Sequence, residues 1–477
     1  MTEVKPFWLS GRPETGESTL QVRSPWDDRV VGVVSIPTDA QVEQAVADLD
    51  AVRLEALATS AHERAAALDH ISQRIAERAV EYAELITSEN GKPLVWSRGE
   101  VARAVSTFRW AAEEARRFSG DLQRLDTDVT STGRLGIVRR FPRGPVLAIA
   151  PFNFPLNLVA HKVAPAIAVG APILIKPAPA TPMSALLLGE IIAETDLPKA
   201  MVSVLPIAND KMSGLIADPR LPVISFTGSG PVGWSIQQQA PRKHITLELG
   251  GNAAVVVNND WPDLQTAAAR IALFSNYQAG QSCISVQRVL VHADIYDSFV
   301  SELVSAVVKL PTGDPTAEGV QVGPVINDAA AQRIVDWVDD ARAKGAVVLT
   351  GGTREGRLVA PVVLADLPCD AILATEEAFG PVLSVARFSD MDDAFRQVND
   401  SKYGLQAGVF TRDVQVAFRA HRELEVGGVI IGDVPSYRAD QMPYGGWKDS
   451  GVGREGVASA MNDLTDERVL VLTGLDL

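Results

Sequence analysis

The chain has 477 residues, with 44 Lys+Arg against 59 Asp+Glu and a formal net charge of -15. That balance argues against nucleic acid as a partner, because phosphate backbones are bound by concentrated Lys and Arg. Cys283 and Cys369 are the only cysteines, which excludes a disulfide scaffold. Residues Met1 to Pro13 lack a basic segment followed by an apolar one, so no secretory signal is read there. The most apolar stretch, Gly144 to Ile175, is broken by Asn153, Asn157, His161, Lys162 and several prolines. It is a poor bilayer span. The expectation is a cytoplasmic protein with no membrane partner.

Residues 40–118 carry helical patterns rich in Ala, Glu and Arg, such as Glu63–Arg78 and Ser97–Phe118. The texture then changes to short apolar runs alternating with helical ones. Strands are predicted at Val146–Ala150, Pro172–Ile175, Met201–Leu205, Val223–Phe226 and His244–Leu249. Helices are predicted between them at His161–Val169, Met183–Thr195 and Val232–Gln239. Continuous apolar strands separated by helices indicate a parallel sheet covered on both faces, an α/β design. A second block follows with strands Arg288–His292, Val347–Thr350, Ala407–Phe410 and Gly428–Ile431. Its helices are Ile295–Leu310, Ala329–Lys344 and Val414–Glu423. Gly250–Gly251 is the expected seam between the blocks. Leu135–Phe141 and Arg468–Leu472 read as strands outside both, and so as candidates for pairing across a subunit interface.

Gly228-Ser-Gly-Pro-Val-Gly233 spells a dinucleotide fingerprint between a strand and a helix, with Glu248 fifteen residues beyond it. Yet it opens the fourth strand-to-helix turn of its block rather than the first. Glu248 lies between Leu247 and Leu249 and ahead of two glycines. A carboxylate in such a place can have a raised pKa and act as a base; the plainer reading is a solvated glutamate. Cys283 sits among small polar residues in Gln278-Ala-Gly-Gln-Ser-Cys-Ile-Ser285, unlike a core cysteine. Asn153, in Pro151-Phe-Asn-Phe-Pro155, is either a turn residue or an N–H donor aimed at an oxyanion. The six histidines show no metal-ligand spacing, and no GxSxG elbow occurs.

Pro151-Phe-Asn-Phe-Pro155, Lys176-Pro177, Phe226-Thr-Gly-Ser229, Glu248-Leu-Gly-Gly-Asn252, Gln281-Ser-Cys283 and Glu376-Glu-Ala-Phe-Gly-Pro381 occur in that order. Pro443-Tyr-Gly-Gly-Trp-Lys448 and Ser450-Gly-Val-Gly-Arg454 close the series. The ordered set closely resembles the aldehyde dehydrogenase superfamily, NAD(P)-dependent and non-phosphorylating, over almost the whole chain. The resemblance implies an α/β fold with two α/β domains and a small β bridging or oligomerisation element. It would place a cofactor-binding domain in 1–123 and 144–250, a catalytic domain in 251–452, and the bridging element in 124–143 and 453–477. It also implies a homodimer or homotetramer.

The resemblance makes Cys283 the nucleophile, Asn153 an oxyanion donor together with the Cys283 backbone N–H, and Glu248 the base that activates hydrolytic water. It places Ala150, Phe152, Lys176, Pro179, Phe226, Gly228, Ser229, Gly233, Leu249, Glu377 and Phe379 about the cofactor. Gly233 is then expected to serve helix packing. Many NAD-preferring members carry an acid where Pro179 stands, so NADP is expected to be accepted. Arg109 and Arg438 are candidate contacts for an anionic substrate, with surface ion pairs as the plainer reading. Trp110 and Phe152 would suit an apolar aldehyde equally. His161 is expected to satisfy a local hydrogen bond. The substrate expected is a small hydroxylated or acidic aldehyde. A CoA-acylating enzyme, an aromatic or aliphatic aldehyde dehydrogenase, and a catalytically silent relative are the alternatives.

Overall fold

The computed structural model describes residues 3–476. Five helices fill the early part of the chain: Asp39–Ala51, Arg53–Ala58, Ala61–Glu77, Ala79–Asn90 and Leu94–Arg117. Thr38 and Ser60 start the first and third through reciprocal capping boxes with Gln41 and Glu63. The long helix Leu94–Arg117 packs on Ala61–Glu77 and on Asn157–Val169.

An eight-stranded sheet forms the first core. Its order is Gly451–Val452, His244–Glu248, Val223–Thr227, Val146–Ile149, Ile173–Lys176, Val202–Val204, Phe7–Leu9 and Arg12–Glu14. The five strands from His244–Glu248 to Val202–Val204 are parallel, and the neighbours at either side are antiparallel. Those five strands are almost wholly buried, as continuous apolar runs require. Helices Asn157–Val169 and Met183–Ala193 are buried along almost their whole length.

The chain leaves this sheet at Glu248, passes Gly250–Gly251 and enters a second sheet at Ala254. That seven-stranded sheet runs Val347–Thr350, Val362–Ala365, Val382–Phe388, Arg288–His292, Ala254–Val257, Gln406–Phe410 and Gly428–Ile431. All its pairs are parallel except the first. The two outlying strands pair with each other. Thr465–Thr473 runs antiparallel to Arg134–Pro142 over its full length, and Asp121–Arg124 adds a third strand. The outer edge of Thr465–Thr473 is unpaired among the described residues and exposes Val469, Leu470, Val471 and Leu472.

Several strands were not legible in the sequence: Ser18–Arg23, Val30–Ile36, Asp121–Arg124, Ala254–Val257, Val362–Ala365 and Val382–Phe388. One helix also starts earlier than predicted. Asn157–Val169 begins four residues ahead of His161 with no capping side chain of its own. Its cap is remote: Glu100 Oε1 accepts the N–H groups of Leu156 at 2.9 Å and Asn157 at 3.0 Å.

Candidate active site

Cys283 lies beyond the helix Leu264–Asn276 in a loop of unusual backbone. Gln278 (φ 43°), Ala279 (φ 57°) and Gly280 (φ 69°) are successively left-handed. The two non-glycine residues cost roughly 1–2 kcal/mol each in that region. Paired amides offset this: Gln278 Nε2 donates to the Gln281 carbonyl at 3.0 Å and Gln281 Nε2 donates to the Gln278 carbonyl at 3.2 Å. The third residue has no alternative to glycine, since a Cβ there would meet the Gly380 carbonyl oxygen at 2.0 Å. Gln281, Ser282 and Ile284 are buried while Cys283 is partly exposed. The sequence around the thiol therefore builds a rigid mount for one reachable sulfur. Burial nevertheless pushes the Cys283 thiol up to about 12, countered in part by a hydrogen bond with Tyr444.

Asn153 meets this loop directly, its Nδ2 donating to the Gln281 carbonyl at 3.0 Å. A primary amide nitrogen carries two N–H groups, so one donor remains. The Pro151–Asn157 segment is pinned from below. Asn90 Nδ2 donates to the Phe152 carbonyl at 2.7 Å, and Lys92 Nζ stands 4.0 Å over the Phe154 ring. Lys92 also forms a fully buried ion pair with Glu100, the carboxylate that caps Leu156 and Asn157.

Glu248 ends the strand His244–Glu248. Its carboxylate is buried and neither oxygen has a hydrogen-bond partner among the described residues. Burial, reinforced by the nearby Glu455 charge, raises its pKa well above the usual carboxylate range. Glu455 shows the opposite behaviour. Burial would raise it, but Lys162 and Arg438 outweigh that and hold it at about 2. Lys162 Nζ is 3.3 Å from one Glu455 oxygen and Arg438 Nη2 is 3.0 Å from the other. Two neighbouring carboxylates are thus driven apart, one kept charged and one poised to gain or lose a proton.

Of the two arginine candidates, the structure keeps only Arg438 near the thiol. Its side chain is buried and lies 3.8 Å over the Tyr444 ring, and Tyr444 Oη is 3.0 Å from Cys283 Sγ. Arg438 Nε is buried without an acceptor among the described residues. Arg438 pairs with the buried Glu455 rather than in a surface ion pair with nearby Asp440. Asp440 instead accepts from Arg103 at 2.9 Å and lies 3.3 Å from His161. That contact answers the expected local hydrogen bond of His161, whose pKa burial lowers to about 4. Arg109 requires correction. It is exposed, its guanidinium 5.6 Å from the Trp110 ring, beside Glu113 and Arg117 rather than Cys283. Its helix instead offers Arg103, whose guanidinium lies 6.0 Å from the Phe154 ring of the Asn153 loop. Six residues carry Arg109 about 240° round the helix from Arg103. The sequence signal lay in Phe154 and Asp440, which only the fold brings to Arg103. Trp110 is half-buried in the Arg109 cluster and packs against the first core.

The remaining candidates line the carboxyl ends of the first sheet. Lys176 is buried, donates to Asn209 Oδ1 at 2.5 Å and is lowered to about 8 by burial. Pro179 is exposed in the turn beyond it. Ala150 and Leu249 follow the ends of their strands, and both are buried. Ser229 precedes the helix Gly230–Gln239 without a side-chain cap, leaving that helix start free for an anion. Gly233 packs against Leu249 and Phe226, where a Cβ would fall 2.4 Å from Leu249 Cδ2. Gly228 turns the chain over the Phe226 ring. Glu377 accepts the Gly251 N–H at 3.0 Å and is raised by burial to about 7. Phe379 meets the Phe152 ring edge-on at 5.8 Å. A lysine and a free helix start at the carboxyl ends of the first sheet, with the Glu377 carboxylate reaching Gly251 from the loop before Val382–Phe388, fit the ribose and diphosphate of a dinucleotide. Among the described residues no cluster of metal ligands occurs, and no helix is long and apolar enough to cross a membrane.

Comparison with known proteins agrees with this geometry. The aldehyde dehydrogenase family profile matches residues 12–470. A 3-sulfolactaldehyde dehydrogenase of Priestia megaterium is 39% identical over 99% of both chains. The crystal structure of aldehyde dehydrogenase 21 from Physcomitrella patens, in complex with the reaction product succinate, superposes with a TM-score of 0.98. It is 42% identical and covers 100% of this chain and 99% of its own. The NADP-dependent glyceraldehyde-3-phosphate dehydrogenase of Bacillus halodurans, solved with NADP, gives a TM-score of 0.95 at 31% identity, covering 99% of this chain and all of its own. The chain belongs to the aldehyde dehydrogenase family. It is an α/β oxidoreductase of the non-phosphorylating kind.

Proposed function

We propose that the chain oxidises a small anionic or hydroxylated aldehyde to its carboxylic acid, with NAD or NADP as the cofactor. The observation that carries the substrate class is Arg438, a buried guanidinium near the thiol with an Nε that has no acceptor. An unpaired buried donor is costly unless a ligand satisfies it. Arg103, beside the Phe154 ring of the Asn153 loop, adds a second cation near the site. Relatives named for sulfolactaldehyde, lactaldehyde and sulfoacetaldehyde support the reading.

Cys283 attacks the aldehyde carbon as a thiolate, and the carbonyl electron pair moves onto oxygen. The free Asn153 N–H and the Cys283 backbone N–H hold that alkoxide. The cofactor, when bound, supplies a hydride acceptor, and the product of that step is a thioester on Cys283. Glu248 then takes a proton from water as the water attacks the thioester. Its lack of competing hydrogen bonds leaves both oxygens available to do so. Because burial raises Glu248, the hydrolytic step gains rate with rising pH as the carboxylate ionises. Lys176, Pro179, Phe226, Gly228, Ser229 and Glu377 hold the cofactor, with no acidic side chain at Pro179 to repel a 2′-phosphate. The cofactor domain spans 1–123 and 144–250, the catalytic domain 251–452, and the bridging element 124–143 and 453–477. The free edge of Thr465–Thr473 pairs with a second copy in a cytoplasmic homo-oligomer.

The test is a panel of aldehydes followed by absorbance of the reduced cofactor, with NAD and NADP in parallel and with and without CoA. Acidic aldehydes should exceed hexanal and benzaldehyde at least about tenfold in kcat/KM, and Arg438→Met should remove the preference. An absolute requirement for CoA, or activity surviving in Cys283→Ala, would overturn the mechanism. Preference for apolar aldehydes would overturn the substrate class and leave Phe152 as the candidate pocket wall.

A further inference from the structure

Tyr444 is one of the largest groups near the thiol that the proposed mechanism does not use. It is buried, and an antiparallel bridge holds its backbone to Glu455: Tyr444 N donates at 2.9 Å and Glu455 N donates back at 2.6 Å. Arg438 covers the ring at 3.8 Å while its guanidinium is tied to the Glu455 carboxylate at 3.0 Å. Backbone, ring face and overlying cation are therefore all fixed. The hydroxyl has one partner among the described residues, Cys283 Sγ at 3.0 Å. A second tyrosine, Tyr277, also lies near the sulfur, but its hydroxyl is committed to Ser282 Oγ at 2.6 Å.

We propose that Tyr444 is a catalytic residue whose hydroxyl donates a hydrogen bond to the Cys283 sulfur and holds the thiolate as it forms. This rests on the reading of Cys283 as nucleophile. The direction of the bond follows from chemistry. A phenol is a good donor and a thiol a weak one, and a thiolate can only accept. A cation over the ring face draws charge from the ring and makes the phenol more acidic as a donor. Burial and the neighbouring charges keep the Tyr444 phenol protonated, so its proton is available to give. In the activation step the S–H bond breaks, its proton passes to the ionised Glu248 carboxylate and from there to bulk water before hydrolysis, and sulfur retains the electron pair. As the C–S bond forms, that pair is consumed, the sulfur loses its charge, and the Tyr444 hydrogen bond is released. The bond thus helps form the nucleophile and does not persist to hinder the thioester.

The charged and titratable groups facing the sulfur are Tyr444, Glu377, Arg438 and Glu248, with Tyr277 behind Ser282. The carboxylates oppose a thiolate and Arg438 favours it, so removing the Tyr444 hydroxyl leaves only the longer-range cation in its support.

The test uses the cofactor-free enzyme in a Cys369→Ser background, because Cys369 is the other free thiol and is exposed. Alkylation of Cys283 by iodoacetamide is followed across pH by mass spectrometry. Tyr444→Phe keeps the ring under Arg438 and deletes only the hydroxyl. The expected result is an alkylation rate lower by about ten- to a hundredfold at each pH from neutral to alkaline, where the thiolate is the minor species in both enzymes. In single turnover the hydride-transfer phase should slow by a similar factor while thioester hydrolysis keeps its rate. Superimposable alkylation profiles for Tyr444→Phe and its parent, faster alkylation in the variant, or no modification of Cys283 at any pH would each overturn the proposal. Failure of the underlying mechanism has a different signature, namely turnover of aldehyde by Cys283→Ala.

Discussion

The Asn153–Cys283 side of the cleft and the Lys176–Ser229 side are built to opposite standards. On the first, nearly every polar group is buried and tied: Asn90 to Phe152, Glu100 to Leu156 and Asn157, Asn153 to Gln281, Gln278 to Gln281. On the second, Pro179 and Ala180 are exposed, the helix at Gly230 starts without a side-chain cap, and Lys176 has the single partner Asn209. The difference matches what each side must do. Bond-making needs atoms held within a fraction of an ångström, whereas a cofactor that enters and leaves each cycle needs an open ledge with donors to spare. Rigidity here is local and follows the chemistry.

If that contrast holds, substitutions on the tied side should damage rate and stability, and those on the ledge should change selectivity alone. The largest effect is expected for Asn153→Ala, a fall in kcat of about 10²–10³ with cofactor affinity unchanged, read by steady-state rates and cofactor titration. Glu100→Gln comes next. It leaves Lys92 buried without its counter-charge and should lower the unfolding free energy by about 3 kcal/mol in denaturant melts. Lys92→Met added to Glu100→Gln should recover part of that loss; no recovery would mean that the cap, not the ion pair, carries the effect. Smallest is Pro179→Glu, which introduces a carboxylate near the expected 2′-phosphate. It should lower the NADP-to-NAD ratio of kcat/KM by about tenfold with kcat for NAD retained. A fall in both cofactors alike would show the ledge to be as stiff as the opposite side.

The parallel strands of the first sheet were legible because continuous apolar runs leave few other readings, as at Val223–Thr227, whereas in the second sheet Arg288–His292 was legible and the equally apolar Ala254–Val257 and Val362–Ala365 were not. Edge and surface strands such as Asp121–Arg124, exposed along its length, carry no such signal. Cys283, Glu248 and Asn153 could be singled out by the oddness of their settings. What the sequence could not supply was long-range pairing. Arg103 is distinguished only by Asp440, 337 positions away, and Phe154. Glu455 acquires its character from Lys162 and Arg438. The sequence offered Arg109 and not Arg103 because a helical pattern shows which residues share a face, not what that face meets.

The contact of Gly280 with the Gly380 carbonyl, where a Cβ would fall 2.0 Å from the oxygen, joins two loops. One carries Cys283; the other carries Glu377 and Phe379. An instrument maker would call this a shared baseplate. A displacement of the baseplate as one piece would move the sulfur and the cofactor-side carboxylate together, so the spacing between them would be preserved even when neither position is. Noise common to both parts cancels, and alignment survives without requiring that the whole molecule be still.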